Sequence, residues 1–120
     1  MKVLLVDDAM SVRMSLRNIL DDSGCDFTYL EASTGTEAVR EYKKSSPDLV
    51  IMDILMPEMD GITAVEKIME ENSQAKIIMC SANGNQKKVV QAVTAGAIDF
   101  IVKPYEAHKV IESVKKALEL

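Results

Sequence analysis

The sequence predicts an α/β fold, a three-layer sandwich around one five-stranded, parallel, doubly wound sheet. Two observations carry this. Four short apolar runs each end on a reactive polar residue: Val3-Leu4-Leu5-Val6 on Asp7-Asp8, Leu49-Val50-Ile51-Met52 on Asp53, Ile77-Ile78-Met79-Cys80 on Ser81, and Phe100-Ile101-Val102 on Lys103-Pro104. Runs of that length read as strands buried on both faces. Segments of helical spacing also alternate with the strands five times, and right-handed crossovers then place helices on both sides of the sheet. In such sheets chemistry gathers at the carboxyl ends of the strands. Three carboxylates, a hydroxyl and an ammonium are therefore expected at one edge.

Each element has its own justification. After Asp7-Asp8, the set Val12, Leu16, Ile19 and Leu20 keeps helical spacing and stops near Gly24. A strand at Thr28–Ala32 follows, the least apolar of the five, which suits a sheet edge. Thr34-Gly35-Thr36-Glu37 has the form of a capping box, with Thr34 and Glu37 satisfying each other's backbone amides. Its helix turns Ala38, Val39 and Tyr42 inward and ends before Pro47. Beyond strand 49–52, the loop Leu55 to Gly61 opens a helix with Ile62, Val65, Ile68 and Met69 on one face. Strand 76–80 leads through Ser81-Ala82-Asn83-Gly84-Asn85 to a helix expected to bury Val89, Val90 and Val93 and to close at Gly96. Strand 98–102 precedes a last helix carrying Val110, Ile111, Val114 and Leu118.

The 120 residues fit one domain, 1–120, large enough for a core without metal or disulfide staples. A net charge of -5 argues against general affinity for nucleic acid or anionic membrane. Met1-Lys2 leads directly into a strand, so no signal peptide is expected, and no run approaches the roughly 20 apolar residues of a membrane span. Cys25 and Cys80 lack metal-type spacing and read as free, inert thiols of a reducing cytoplasm.

At the predicted edge, Asp7 taken singly reads equally well as a helix cap, and Asp8 as a solvated loop acid. Asp53 sits among apolar residues, where a turn acid would have turn-forming neighbours. Clustered carboxylates raise one another's pKa unless a cation intervenes. With no Cys or His near, oxygen ligands suit Mg²⁺ or Mn²⁺, and the single histidine, His108, falls on the last helix. Lys103 ends a buried strand before a proline, so its ammonium is expected to reach into the cluster, and Ser81 adds a hydroxyl. A carboxylate nucleophile, a divalent cation, an ammonium and a hydroxyl make a site for phosphoryl transfer to an aspartate.

Five separated elements in order, Asp7-Asp8, Asp53, Pro57-Glu58-Met59-Asp60-Gly61, Ser81-Ala82 and Lys103-Pro104, resemble the response-regulator receiver domains, most closely the stand-alone CheY-like type, over Lys2 to Leu118. The resemblance implies the flavodoxin-like strand order 2-1-3-4-5. It implies Asp53 as phosphoacceptor from a histidine kinase, and Mg²⁺ held by Asp8, Asp53 and the Leu55 carbonyl, with Asp7 acting through a metal-bound water. It implies Lys103 on the phosphoryl oxygens beside a cis Pro104, Ser81 as switch hydroxyl and Phe100 as switch aromatic. A cytoplasmic monomer is expected, signalling by binding a protein target such as a flagellar motor switch and losing its phosphoryl group slowly, rather than turning over substrate.

Leu55 and Asn83 stand at positions that set phosphoryl lifetime in the family, and Phe100 replaces the Tyr of some relatives. An apolar Leu55 cannot hydrogen-bond the attacking water, which predicts slow autodephosphorylation. Met10, Met14, Met56 and Met59 read as packing filler or an adaptable contact surface. Lys87, Lys88, Gln91, Lys115 and an exposed, anchoring Tyr105 are expected on the partner face, a solvated helix face fitting Lys115 equally well.

Other functions weigh less well against the residues. A haloacid-dehalogenase-type phosphatase needs a second aspartate where Leu55 stands, and a flavin binder needs a phosphate loop where Asp7-Asp8-Ala9-Met10 stands. An interaction module that works without phosphorylation, and a phosphorelay intermediate outside chemotaxis, remain open. No output domain is expected after Leu120, so output is expected to run through binding.

Overall fold

Alternation of side chains along buried strands decides the layering. In a computed structural model, which describes residues 1–82, 84 and 86–120, the elements run β1 (Lys2–Val6), α1 (Met10–Asp21), β2 (Thr28–Ala32), α2 (Gly35–Ser45), β3 (Leu49–Asp53), α3 (Gly61–Glu71), β4 (Ile77–Ser81), α4 (Gln86–Ala95), β5 (Asp99–Val102) and α5 (Ala107–Leu118). All neighbouring strands are parallel, in the order β2-β1-β3-β4-β5. This is the flavodoxin-like order the resemblance implies, with the least apolar strand at an edge.

Val3, Leu5, Leu49, Ile51 and Ile78 point to one face and pack with Leu16 and Leu20 of α1 and Val110, Val114 and Leu118 of α5. Leu4, Val6, Val50, Met52, Ile77 and Met79 point to the other and pack with Ala38 and Tyr42 of α2, Val65 and Ile68 of α3, and Ala92 of α4. Two cores thus flank one sheet. Stripping that apolar surface from water is the main favourable term in the fold.

Local signals fix the starts of α2 and α3. Thr34 Oγ1 accepts from the Glu37 amide at 3.0 Å. The reciprocal half of the expected box is displaced by one residue, because Glu37 Oε2 accepts from the Ser33 amide at 3.3 Å. Asp60 caps α3, its Oδ1 accepting from the Thr63 amide at 2.8 Å. The next residue has to be glycine. A Cβ on Gly61 would lie 2.2 Å from the Asp53 carbonyl oxygen, which lets the 55–61 loop fold back against the end of β3.

The α4 face departs from expectation. Ala92 is its buried residue, whereas Val90 and Val93 are 54% and 55% exposed. The helix packs beside the edge strand through a small side chain, which permits close approach and turns the Val90–Val93 stripe outward.

Candidate functional site at the carboxyl edge of the sheet

Strand register brings the predicted residues level. Val6 pairs with Met52, so Asp7 and Asp53 follow side by side. Asp53 is opposite Cys80, and Ser81 is opposite Val102, one residue before Lys103. Carboxylate oxygens of Asp7, Asp8 and Asp53 all lie within 4.8 Å of one another. Asp7 and Asp53 are 2% and 8% exposed, while Asp8 opens to solvent.

Lys103 joins the two buried acids. Its Nζ is 2.7 Å from Asp7 Oδ2 and 3.3 Å from Asp53 Oδ2. The Lys103 amide donates to the Ser81 carbonyl at 2.9 Å, tying the Lys103 loop to the end of β4. The Lys103-Pro104 peptide is cis, as the resemblance implies. Ser81 itself is buried at the strand end, and Phe100 packs half-buried against the α2–α3–α4 core.

The electrostatics follow from burial and from unequal charge. Burial pushes the Asp53 carboxyl above its usual range; Lys103 opposes the rise and Asp7 adds to it. Burial pulls the Lys103 ammonium down, but the hydrogen bond to Asp7 and the charge of Asp53 more than offset this, so it is held above its ordinary value. One ammonium faces three carboxylates, and an oxygen-only donor set with surplus negative charge fits a hard divalent cation. Cys80 is no part of the chemistry, since burial raises its thiol to about 12.

Some expectations are corrected here. Tyr105 is no exposed anchor: it is half-buried and packs against the α1–α5 core. Met56 and Met59 fill space against the core, whereas Met10 and Met14 are exposed. Leu55 is 67% exposed beside the site. Asn83 lies outside the described residues. His108 is exposed on α5, its Nε2 3.5 Å from Glu106. Among the described residues no helix is long and apolar enough to cross a membrane.

Two residues at the site escape sequence reasoning. Arg13 Nη1 donates to the Asp7 carbonyl at 2.5 Å, and Arg13 Nε donates to Glu31 Oε1 at 2.8 Å. Their only signal is an arginine one turn into the helix that follows the acids. The partner 18 residues on is fixed by the β1–β2 register.

Comparison with known proteins matches this geometry. The response regulator receiver domain family matches residues 3–115. The chain is 52% identical over 117 residues to the chemotaxis protein CheY of Bacillus subtilis, covering 98% of this chain and 97% of that one. It is 50% identical over 115 residues to CheY of Thermotoga maritima, covering 96% and 95% respectively. Among solved structures, a CheX-CheY-BeF3-Mg+2 complex from Borrelia burgdorferi superposes with a TM-score of 0.90 at 39% identity, over 96% of this chain and 87% of that one. A fold with this strand order, this acid cluster and these relatives has one assignment: the chain belongs to the response regulator receiver domain family.

Proposed function

We propose that residues 1–120 act as one receiver unit, a chemotaxis response regulator that accepts a phosphoryl group on Asp53 from a histidine kinase and signals by binding a protein target. The observation that carries the reading is Lys103 bridging Asp7 and Asp53 within a cluster of three carboxylates. The length and identity of the match to CheY proteins support the chemotaxis assignment and a cytoplasmic setting. A flagellar motor switch fits as the target.

In this reading Asp53 Oδ forms a bond to phosphorus as the phosphorus–nitrogen bond of a phosphohistidine breaks. The imidazole nitrogen keeps the electron pair and is protonated as it leaves. Lys103, already aimed at Asp53, exchanges that partner for phosphoryl oxygens. Asp8, Asp53 and the Leu55 carbonyl would hold Mg²⁺, with Asp7 acting through water; the ion supplies positive charge toward the phosphoryl oxygens. Ser81 would move toward the phosphoryl group, and Phe100 would fill the space it leaves. The exposed Leu55 side chain offers no hydrogen bond to an attacking water, which supports a slowly reversing switch rather than a turnover enzyme.

Incubation with acetyl phosphate and Mg²⁺, followed by intact mass, tests the proposal. One added phosphoryl group, absent in Asp53→Asn and absent without Mg²⁺, is the expected result. No adduct on the wild-type chain would leave an interaction module that works without phosphorylation.

A further inference from the structure

Arg13 belongs to the acid cluster without touching any carboxylate in it. Asp7 is held at every polar group. Its amide donates to the Ala32 carbonyl at 3.2 Å, its Oδ1 accepts from the Ala9 amide at 2.9 Å, and its Oδ2 takes Lys103. The remaining group is the Asp7 carbonyl, which is the peptide joining Asp7 to Asp8, and Arg13 Nη1 holds it at 2.5 Å. The orientation of that peptide fixes where the Asp8 backbone, and so its carboxylate, leaves β1.

The start of α1 is also fastened by the hydrogen bond from the Ala9 amide to Asp7 Oδ1. Its N-cap is Ala9, with no side-chain cap, and no acid occupies its first turn. Arg13 is itself anchored by Glu31 of β2, and its side chain is only 13% exposed. A continuous path therefore runs from the edge strand through Glu31 and Arg13 to the Asp7–Asp8 peptide.

We infer that Arg13, anchored by Glu31, is a positioning residue that sets the Asp7–Asp8 carboxylates for a divalent cation. This rests on the metal site proposed above. Charge gives the inference a discriminating sign. Arg13 and Glu31 cancel, so loss of Arg13 alone leaves an extra negative charge near the pocket, and Coulomb attraction would then tighten cation binding. Loss of positioning weakens it. The two effects oppose each other.

Mg²⁺ titration of the ¹⁵N-labelled full chain, followed by amide shifts, reads affinity and fold together. Arg13→Ala is expected to weaken Mg²⁺ binding about tenfold, the lower end of what losing an outer-shell partner costs. Arg13→Lys, which keeps a donor for the Asp7 carbonyl, should recover part of that loss. Glu31→Gln should weaken binding about twofold to threefold, less than an outer-shell loss at the ligand itself. Unchanged or tighter binding in a folded Arg13→Ala chain would overturn the inference. If that variant does not fold, Arg13→Gln, which removes the same charge on a side chain too short to span the contact, decides: unchanged or tighter binding overturns the inference. A wild-type chain with no Mg²⁺-dependent shifts near Asp7, Asp8 and Asp53 would overturn the metal-site reading first, and the inference with it.

Discussion

The β1–β3 floor of the site and its α4–β5 rim are built to opposite standards. On the floor Asp7 has every polar group bonded, and Val3–Val6 and Leu49–Asp53 beneath it are buried. At the rim Val90, Val93 and Val102 are about half exposed, at 54%, 55% and 47%, and Phe100 is only half-buried. The contrast separates two tasks. Holding a cation and a nucleophile demands fixed distances, whereas a surface that changes and meets a partner needs loose packing and uncovered apolar area.

The floor should break most easily where backbone meets backbone. Gly61→Val places a side chain against the Asp53 carbonyl oxygen at 2.2 Å and Ile54 Cα at 2.8 Å. Neither atom can move aside, and a loss of about 3 kcal/mol is expected from overpacking, read as a lowered urea midpoint. A midpoint equal to wild type would mean the loop does not seat on β3.

The buried charge of Asp53 gives a smaller effect of opposite sign. Its carboxyl titrates above the ordinary value in the folded chain, so without Mg²⁺ the folded state binds more protons than the unfolded one between those two pKa values. Stability therefore falls as pH rises from the ordinary carboxylate value through the raised folded one, and the penalty is complete above it. Asp53→Asn should remove that slope and stabilise the metal-free chain at neutral pH by about 1 kcal/mol, the size of an ordinary single-site change. A thermal-denaturation series across pH in chelator checks this; a variant less stable than wild type at neutral pH would contradict it.

Beside the site, Leu55→Asn adds a hydrogen-bonding group at an exposed position. It should shorten the phosphoryl lifetime several-fold while leaving stability within about 0.5 kcal/mol. Decay of the phosphorylated mass after removal of acetyl phosphate measures it, and an unchanged lifetime would sink the explanation. The smallest effect belongs to the rim: Val93→Ser should change stability by no more than about 0.5 kcal/mol, since its side chain already faces water. A loss of core size, ~2 kcal/mol or more, would mean that α4 packs by its valine stripe after all.

What was legible in the sequence follows the same division. The floor was readable because strands buried on both faces need unbroken apolar runs, and an Asp, Ser or Lys at the end of such a run stands out. Register then brought Asp7, Asp53, Ser81 and Lys103 together. The rim was not. Residues 89–95 offer two apolar stripes at helical spacing, and only docking beside β5 selects Ala92 over Val90 and Val93. Tyr105 lies in the loop between β5 and α5, and only the packing of that loop on the α1–α5 core turns its ring inward. Arg13 and Glu31 meet only because β2 lies beside β1.

The difference between floor and rim is tested most directly by amide shifts of the ¹⁵N-labelled chain in saturating Mg²⁺, recorded before and after addition of acetyl phosphate. The largest shifts are expected in α4 and β5, while the body of α1, beyond the pocket, stays nearly still. Shifts of equal size along α1 and α4, or shifts that persist unchanged in Asp53→Asn, would contradict it.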